Sequence, residues 1–249
     1  IACTDHGVMY GAVEFYQECI KQGINPIIGC EVYLTSGSHF EKNNRGMYHL
    51  ILLAENNIGY HNLMKIVSIG QLEGFYYKPR IDKDVLRAHS EGIICLSACI
   101  AGELPVLILQ GNMEGARRCI QEHIDIFGKD NYFLEIQDHD LDEEHRVTAA
   151  LKELSKEFGI GLVATNDLHY VRREDAAAQD ILLCIQTTST VDEPNRMRFP
   201  NDSFYLKSYD EMAERFGDCP EALENTNKIA DRCHVQMEFG HLLLPEFSV

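Results

Sequence analysis

Short apolar runs that end in metal-ligand residues constrain this chain more than any other feature of its sequence. A buried strand that delivers Asp, His, Glu or Cys to its end is how barrel enzymes assemble metal sites. A single such residue would mean little, but five segments of this chain share the pattern, which predicts one common site. The residues they carry are His6, Glu31, His49, Cys99 and the pair Asp167 and His169.

Apolar, β-branched runs alternate with segments of helical periodicity along most of the chain. Such repeated strand–helix units predict a parallel sheet with helices packed outside it. The strand runs are continuously apolar, which predicts burial on both faces. Strands are predicted at 25–33, 48–54, 92–97, 132–136 and 161–165, and helices at 7–22, 57–69, 83–89, 102–110, 113–127, 142–158 and 174–186.

The predicted sheet is a closed or nearly closed barrel rather than an open sheet. Candidate ligands come from many strands, and a barrel mouth brings them together, whereas an open sheet gathers its site at one crevice. The pattern changes from Asp192 onward, where prolines interrupt it before a helical stretch at 208–233 and an extended tail at 244–247. We therefore predict a barrel over 1–191 and a mixed helical connector over 192–249.

Charge and cysteine content limit the class of protein. The formal charge is −17 and the sequence has no basic tract, which argues against binding nucleic acid through a broad positively charged surface. Bound cations can nevertheless make the electrostatic potential at one site positive. The nine cysteines form no CxxC pair, which disfavours a zinc ribbon and favours a reducing cytoplasm. No signal peptide or membrane span is predicted. Because a motif begins within four residues of Ile1, we expect a fragment whose start lies upstream.

Each candidate ligand has a structural alternative when it is considered alone. Glu31 could be a half-exposed strand residue, and Cys99 a structural thiol. His49 could be a capping or core histidine. Barrel ligands usually follow the C-terminal ends of strands, whereas His49 lies at the start of its strand. Either that strand is antiparallel to its neighbours or its predicted boundary is misplaced. Asp167 and His169 are the strongest signal, because an i, i+2 pair on an extended segment points both side chains the same way.

The chemistry of the candidate set favours phosphoester hydrolysis. Mixed imidazole and carboxylate ligands suit Zn²⁺, Mn²⁺ or Fe²⁺ better than Mg²⁺ or Ca²⁺. Two or more such ions together serve phosphoester hydrolysis. The chain has no GxxxxGK[ST] loop, GxSxG elbow, HExxH helix or GxGxxG turn, so the competing chemistries have little support.

Six short motifs, in this order, resemble the PHP (polymerase and histidinol phosphatase) domain, in the form found at the N-terminus of the alpha subunits of bacterial DNA polymerase III. The resemblance covers essentially the whole chain, including the segments FYLKS, EALENT and LLPEF after residue 200. The six motifs are CTDHG at 3–7, GCEVY at 29–33, YHL at 48–50, SACIAGE at 97–103, YFLEIQDH at 132–139 and ATNDLHY at 164–170.

The resemblance implies a distorted, TIM-barrel-like (β/α)7 fold, here lacking its first strand and the opening His-x-His motif. It implies up to three metal ions, with His6, Asp167 and His169 catalytic. Asp5 is expected to orient a ligand, and Glu135 to support the site from the next strand. The implied metal ligands are His6, Glu31, His49, Cys99, Asp167 and His169.

The resemblance leaves three functions open. The first is the N-terminal region of a replicative polymerase subunit, cytoplasmic, acting with DNA and other polymerase subunits, and itself a 3′→5′ proofreading exonuclease. The second is a non-catalytic module that braces the polymerase and binds partners, and the third a free-standing phosphatase of the histidinol-phosphatase type. One loop combines stacking and cationic groups and is either a DNA contact or an ordinary solvated loop. Its residues are Tyr76, Tyr77, Lys78 and Arg80.

Overall fold

The computed structural model describes residues 1–43 and 46–241, which form an α/β fold around one curled sheet. The order across the sheet is β1-β2-β3-β5-β6-β7. The short strand β1 pairs with the first residues of β2, and the short strand β4 pairs with its last residues. This confirms the predicted barrel-like fold class. The strands are β1 (Ala2–Cys3), β2 (Ile27–Leu34), β3 (Tyr48–Ala54), β4 (Arg80–Ile81), β5 (Ile93–Leu96), β6 (Tyr132–Ile136) and β7 (Leu162–Ala164).

One strand runs against the others. β3 is antiparallel to both β2 and β5, whereas β1–β2, β5–β6 and β6–β7 are parallel pairs. The first residues of β3 therefore lie at the edge of the sheet where the other strands end. This answers the question raised by His49, which lies near the start of β3 opposite Tyr33, at the same edge as the carboxyl ends.

Nine α-helices lie within the described residues, and most match the predicted segments closely. The helix predicted at 7–22 begins only at Ala12, because Gly7 has a φ of +67° and a turn follows it. The helices are α1 (Ala12–Gln22), α2 (Asn57–Leu72), α3 (Lys83–Ala88), α4 (Glu103–Leu109), α5 (Met113–Phe127), α6 (Asp142–Phe158), α7 (Ala176–Thr187), α8 (Tyr209–Arg215) and α9 (Pro220–Arg232).

Two predictions near the C-terminus have different outcomes. The helical stretch predicted at 208–233 is two helices, because Phe216 ends α8 and Pro220 occupies the first turn of α9. The extended tail predicted at 244–247 lies outside the described residues. The division between a barrel and a connector at residue 191 stays a prediction.

The sheet is buried on both faces, as the continuous apolar runs predicted. All eight residues of β2 are buried, and Ile28 and Leu52 face the layer of helices. Each such fully buried Ile or Leu side chain contributes about 1.5–3 kcal/mol. On the opposite face, Ile51 and Val163 of the sheet belong to a second apolar cluster together with Ile229 of α9. α9 therefore covers the face of the sheet that also carries Glu31.

The beginning of α2 approaches the sheet so closely that only glycine fits. A Cβ on Gly59 would lie 1.8 Å from the carbonyl oxygen of Gly92, just before β5. The side chain of Asn56 caps this end of α2 by accepting the Gly59 N–H at 3.0 Å. This contact holds α2 against the edge of the sheet opposite His49.

Candidate metal centre

Glu31 joins two of the predicted ligands. Its Oε1 lies 2.8 Å from Nδ1 of His6 and 2.8 Å from Nδ1 of His49. Parallel pairing places His6 beside Glu31, and the reversed β3 brings His49 to the same face. Burial alone raises the pKa of the Glu31 carboxyl, but hydrogen bonds from His49 and His6 hold it at about 2. The hydrogen bond between His6 and Glu31 in turn raises the pKa of His6.

Cys99 joins this cluster from the end of β5. Its Sγ lies 3.5 Å from Nδ1 of His49, and burial raises the pKa of the thiol far above its ordinary value. The preceding residue, Ala98, has a φ of +66°, which is uncommon for a residue other than glycine. Such conformations persist where the surrounding structure enforces them, frequently at functional sites.

Asp167 and His169 complete the group on the other side of His6. Asp167 has a φ of +37°, so this segment is not the extended strand that the i, i+2 argument assumed. His169 is instead held by a 2.8 Å hydrogen bond from its Nδ1 to the carbonyl oxygen of Asp167, and its ring lies 5.8 Å from that of His6. Burial raises the pKa of Asp167. Both residues nevertheless line the same cavity as Glu31.

A cavity of about 780 Å³ contains the site at one end and apolar side chains of the sheet at the other. The predicted ligands are spread more widely than the coordination shell of one ion, since, in the part of the chain that the structure describes, no three of them have donor atoms within 4.8 Å of one another. Imidazole, carboxylate and thiol donors facing one cavity fit a group of transition-metal ions. The predicted ligands on its walls are His6, Glu31, Cys99, Asp167 and His169.

Glu135, on β6, makes a set of hydrogen bonds to the segments on either side of it. Its Oε2 accepts the N–H of Ala98 at 3.0 Å, and its Oε1 accepts the hydroxyl of Thr165 at 2.5 Å. The side-chain amide of Gln137 donates to the same Oε1 at 3.1 Å. Burial raises the pKa of Glu135 to about 7. The carboxylate thus ties the segment before Cys99 to the segment that carries Asp167.

Asp5 supports Glu31 through its backbone. Its carbonyl oxygen accepts the N–H of Glu31 at 3.0 Å, while its carboxylate lies 3.7 Å from the thiol of Cys3. The main chain of Asp5 therefore helps to hold Glu31, one of the predicted ligands, in place.

A buried pair of His139 and Glu144 lies beneath the Asp167 segment. Both ring nitrogens of His139 face oxygen atoms: Nδ1 lies 2.7 Å from Oε1 of Glu144, and Nε2 2.9 Å from the carbonyl oxygen of Asn166. The ring stacks on Phe204 at 4.2 Å. His139 is fully buried, so this pair fixes the loop that delivers Asp167.

Residues after 192 also build the site, which the predicted connector did not anticipate. The ring of Phe199 packs 4.6 Å from that of His169, and Lys207 donates to the side-chain oxygen of Asn166 at 3.0 Å. The N–H of His169 donates to the carbonyl oxygen of Phe204 at 3.0 Å. The only sequence signal for these contacts was the FYLKS motif, which gave no indication of where it packs.

The loop predicted to contact DNA divides into two parts. Tyr77 and Lys78 are exposed, and Nζ of Lys78 lies 5.4 Å from the ring of Tyr33, which borders His49. Arg80 is fully buried, and its guanidinium donates to backbone carbonyl oxygens of the surrounding loops. The prediction of a DNA contact is therefore wrong for Arg80, because its donors hold the fold together.

Comparison with known proteins assigns the chain to a family. The PHP domain family matches residues 1–139, more than half of the chain, and the chain belongs to that family. Proteins of this family are generally metal-dependent. In residues 1–43 and 46–241, no helix has the length and apolar character needed to cross a bilayer.

The most similar relatives carry one name. The chain is 49% identical, over its whole length, to DNA polymerase III subunit alpha of Treponema pallidum, and the match covers 22% of that protein. The proteins of the same name from Borreliella burgdorferi and Thermus aquaticus are 48% and 45% identical over the whole chain, and the matches cover 22% and 21% of them. The chain thus spans about a fifth of the length of these relatives.

Proposed function

We propose that this chain is the PHP region of a DNA polymerase III alpha subunit and that its cavity is a metal-dependent phosphodiesterase site, acting as a 3′→5′ exonuclease. The observation that carries the proposal is the convergence of predicted ligands from five separate segments on one edge of the sheet. The relatives support the polymerase assignment. On this proposal the whole protein synthesises DNA in the cytoplasm with other replicative subunits, and residues 192–249 lead toward its polymerase part.

The proposed site holds up to three divalent ions of Zn, Mn or Fe. When bound, such ions supply Lewis acidity toward phosphoryl oxygens and lower the pKa of a water to near neutrality. The chain carries a charge of −17, so cations at the site also offset repulsion of a nucleic-acid strand. The proposed ligands are His6, Glu31, His49, Cys99, Asp167 and His169.

The chain's own side chains orient the substrate and the ligands. Lys78, exposed beside Tyr33, supplies a cation for a phosphate at the rim, and Tyr77 a ring for base stacking. Glu135 and His139 keep Cys99 and Asp167 in place from below. His6 lies between the Glu31 side and the His169 side, so we assign it, Asp167 and His169 to the centre of the reaction.

Elemental analysis and hydrolysis of a 5′-labelled single strand test the proposal together. The protein is purified at full length without chelator, with His6→Ala and Asp167→Ala as site variants. His61→Ala is the matched control, because His61 is an exposed histidine of α2, and its Nδ1 lies 2.6 Å from a backbone oxygen of the same helix. We expect stepwise shortening from the 3′ end that both site variants lose and the control keeps.

The alternatives predict different results. A chain that binds two or three equivalents of metal but leaves the strand intact is a structural module, which overturns the exonuclease assignment. A chain that hydrolyses small phosphate esters and spares DNA is a small-molecule phosphatase. Activity that survives Asp167→Ala would refute the assignment of this cavity.

A further inference from the structure

A second group of metal-ligand side chains lies where α4 meets α5, outside the cavity described above. Glu103 is the first residue of α4, and Cys119 and His123 are one turn apart on α5. One ligand atom from each of the three lies within 4.8 Å of the others. Cys119 packs in the layer between sheet and helices, whereas Glu31 lies on the opposite face of the sheet.

The imidazole of His123 has a free nitrogen in this group. The side chain is only 1% exposed, and its Nδ1 donates to the carbonyl oxygen of Cys119 at 2.8 Å. Its Nε2 has no hydrogen-bond partner among residues 1–43 and 46–241. A hydrogen bond from one ring nitrogen to a carbonyl leaves the other with a lone pair, which is the state of a metal-bound histidine.

The charges around the group match a divalent cation. Lys83 Nζ lies 3.0 Å from Oε1 and 2.9 Å from Oε2 of Glu103, and 2.6 Å from Oε2 of Glu122. One ammonium between two carboxylates leaves one negative charge, and a thiolate at Cys119 adds a second. If Glu103 turns to a cation, Lys83 keeps Glu122 as its partner. Burial raises the pKa of the Cys119 thiol, so a cation must displace its proton on binding.

We propose that Glu103, Cys119 and His123 bind a single divalent cation of the zinc class and thereby fasten α4 to α5. Zinc bonds of about 2.0–2.3 Å place neighbouring ligand atoms about 3–4 Å apart. Sγ of Cys119 lies 3.7 Å from Nδ1 of His123, the nitrogen that donates to the Cys119 carbonyl oxygen, so the imidazole ring must rotate to present Nε2 to a shared cation. The half-exposed Glu103 leaves the fourth position to water. The inference is independent of the proposed function.

Cobalt(II) is the probe that separates the two sites, because a cobalt–thiolate bond gives a charge-transfer absorption band. The background variant is Cys99→Ser, which removes the only thiol among the proposed ligands of the first centre. In this background we expect the band to remain. Adding Cys119→Ser should abolish it and remove one equivalent of bound cobalt. Adding Cys184→Ser, which changes a buried cysteine of α7, should leave both unchanged.

Two measurements guard against a variant that fails to fold. Circular dichroism establishes whether Cys119→Ser retains its helices. Glu103→Gln changes a residue with an accessible side chain, and it should bind cobalt at least about tenfold more weakly, a loss typical of damaged metal sites. A missing band in the Cys99→Ser background, or a band and affinity unchanged by Cys119→Ser and Glu103→Gln, would overturn the proposal.

Discussion

Removal of the Glu144 carboxylate tests how the loop before Asp167 is held. In the folded chain, Glu144 accepts two hydrogen bonds from His139, one from its backbone N–H at 2.6 Å and one from Nδ1 at 2.7 Å. Both residues are buried, so Glu144→Ala leaves two donors without partners. Each unsatisfied buried donor costs about 1–3 kcal/mol, which gives a loss of about 2–6 kcal/mol in the free energy of unfolding.

A neighbouring residue supplies the matched control. Glu143 also lies in the first turn of α6, but it is exposed. Glu143→Ala removes the same charge from the positive end of the helix, which costs only about 0.3–1 kcal/mol. The difference between the two variants therefore measures the hydrogen bonds to His139 rather than the helix dipole. Glu144→Gln keeps one acceptor, and it should fall between them.

Urea unfolding of the three variants measures these differences, provided that the slope m stays constant. Because His139 also holds the carbonyl oxygen of Asn166, we expect Glu144→Ala to lower metal binding at the first centre as well. Equal unfolding free energies for Glu143→Ala and Glu144→Ala would refute the reasoning. The pair would then contribute nothing beyond its charge.

Three further predictions concern the frame of the site. Gly59→Ala should lose more than about 2 kcal/mol in unfolding free energy, since its Cβ would lie 1.8 Å from the oxygen of Gly92, whereas Gly70→Ala in the same helix meets ordinary contacts and should be neutral or stabilising. Arg80→Met should lose about 3 kcal/mol or more, because buried carbonyls lose their donors; a change under 1 kcal/mol would contradict this. Burial raises the pKa of Asp82, but hydrogen bonds from a buried histidine and from α3 together lower it by more than burial raises it. The pKa of Asp82 in the folded chain is therefore below its ordinary value. Its contribution to stability is therefore complete above about pH 4 and lost as the pH falls through the folded pKa; in acid titrations of stability, Asp82→Asn should flatten that part of the profile.

Local patterns predicted most of the secondary structure. The strands at 48–54 and 132–136 and the helices at 113–127 and 142–158 have the predicted bounds, because long apolar periodicity and clear end signals act over the element itself. The strand β4 was missed, since two residues are too few to show a period. Its existence depends on pairing with β2, which is a tertiary contact.

The candidate site was predicted in part. Residues that follow strands, such as His6 and Asp167, were found because a barrel edge collects them. The Asn166 anchor of Lys207 and the His139–Glu144 pair were not, because they depend on chain segments that meet only after folding. The position of Arg80 could not be predicted for the same reason. A cation in a loop with tyrosines suggests a surface contact, but the folded structure buries it.

The reversal of β3 determines which loops can reach a bound substrate. β3 ends at the edge of the sheet opposite the site, and α2 begins there. Because α2 runs back toward the site, the loop at 73–79 that follows it lies beside the segment of His6. Gln71, at the end of this helix, donates to the carbonyl oxygen of Gly7 at 2.9 Å, and the Pro79 ring fills the space beside that glycine. The connection from α2 to β4 therefore borders the site. It can vary in length and charge without altering a ligand-bearing strand.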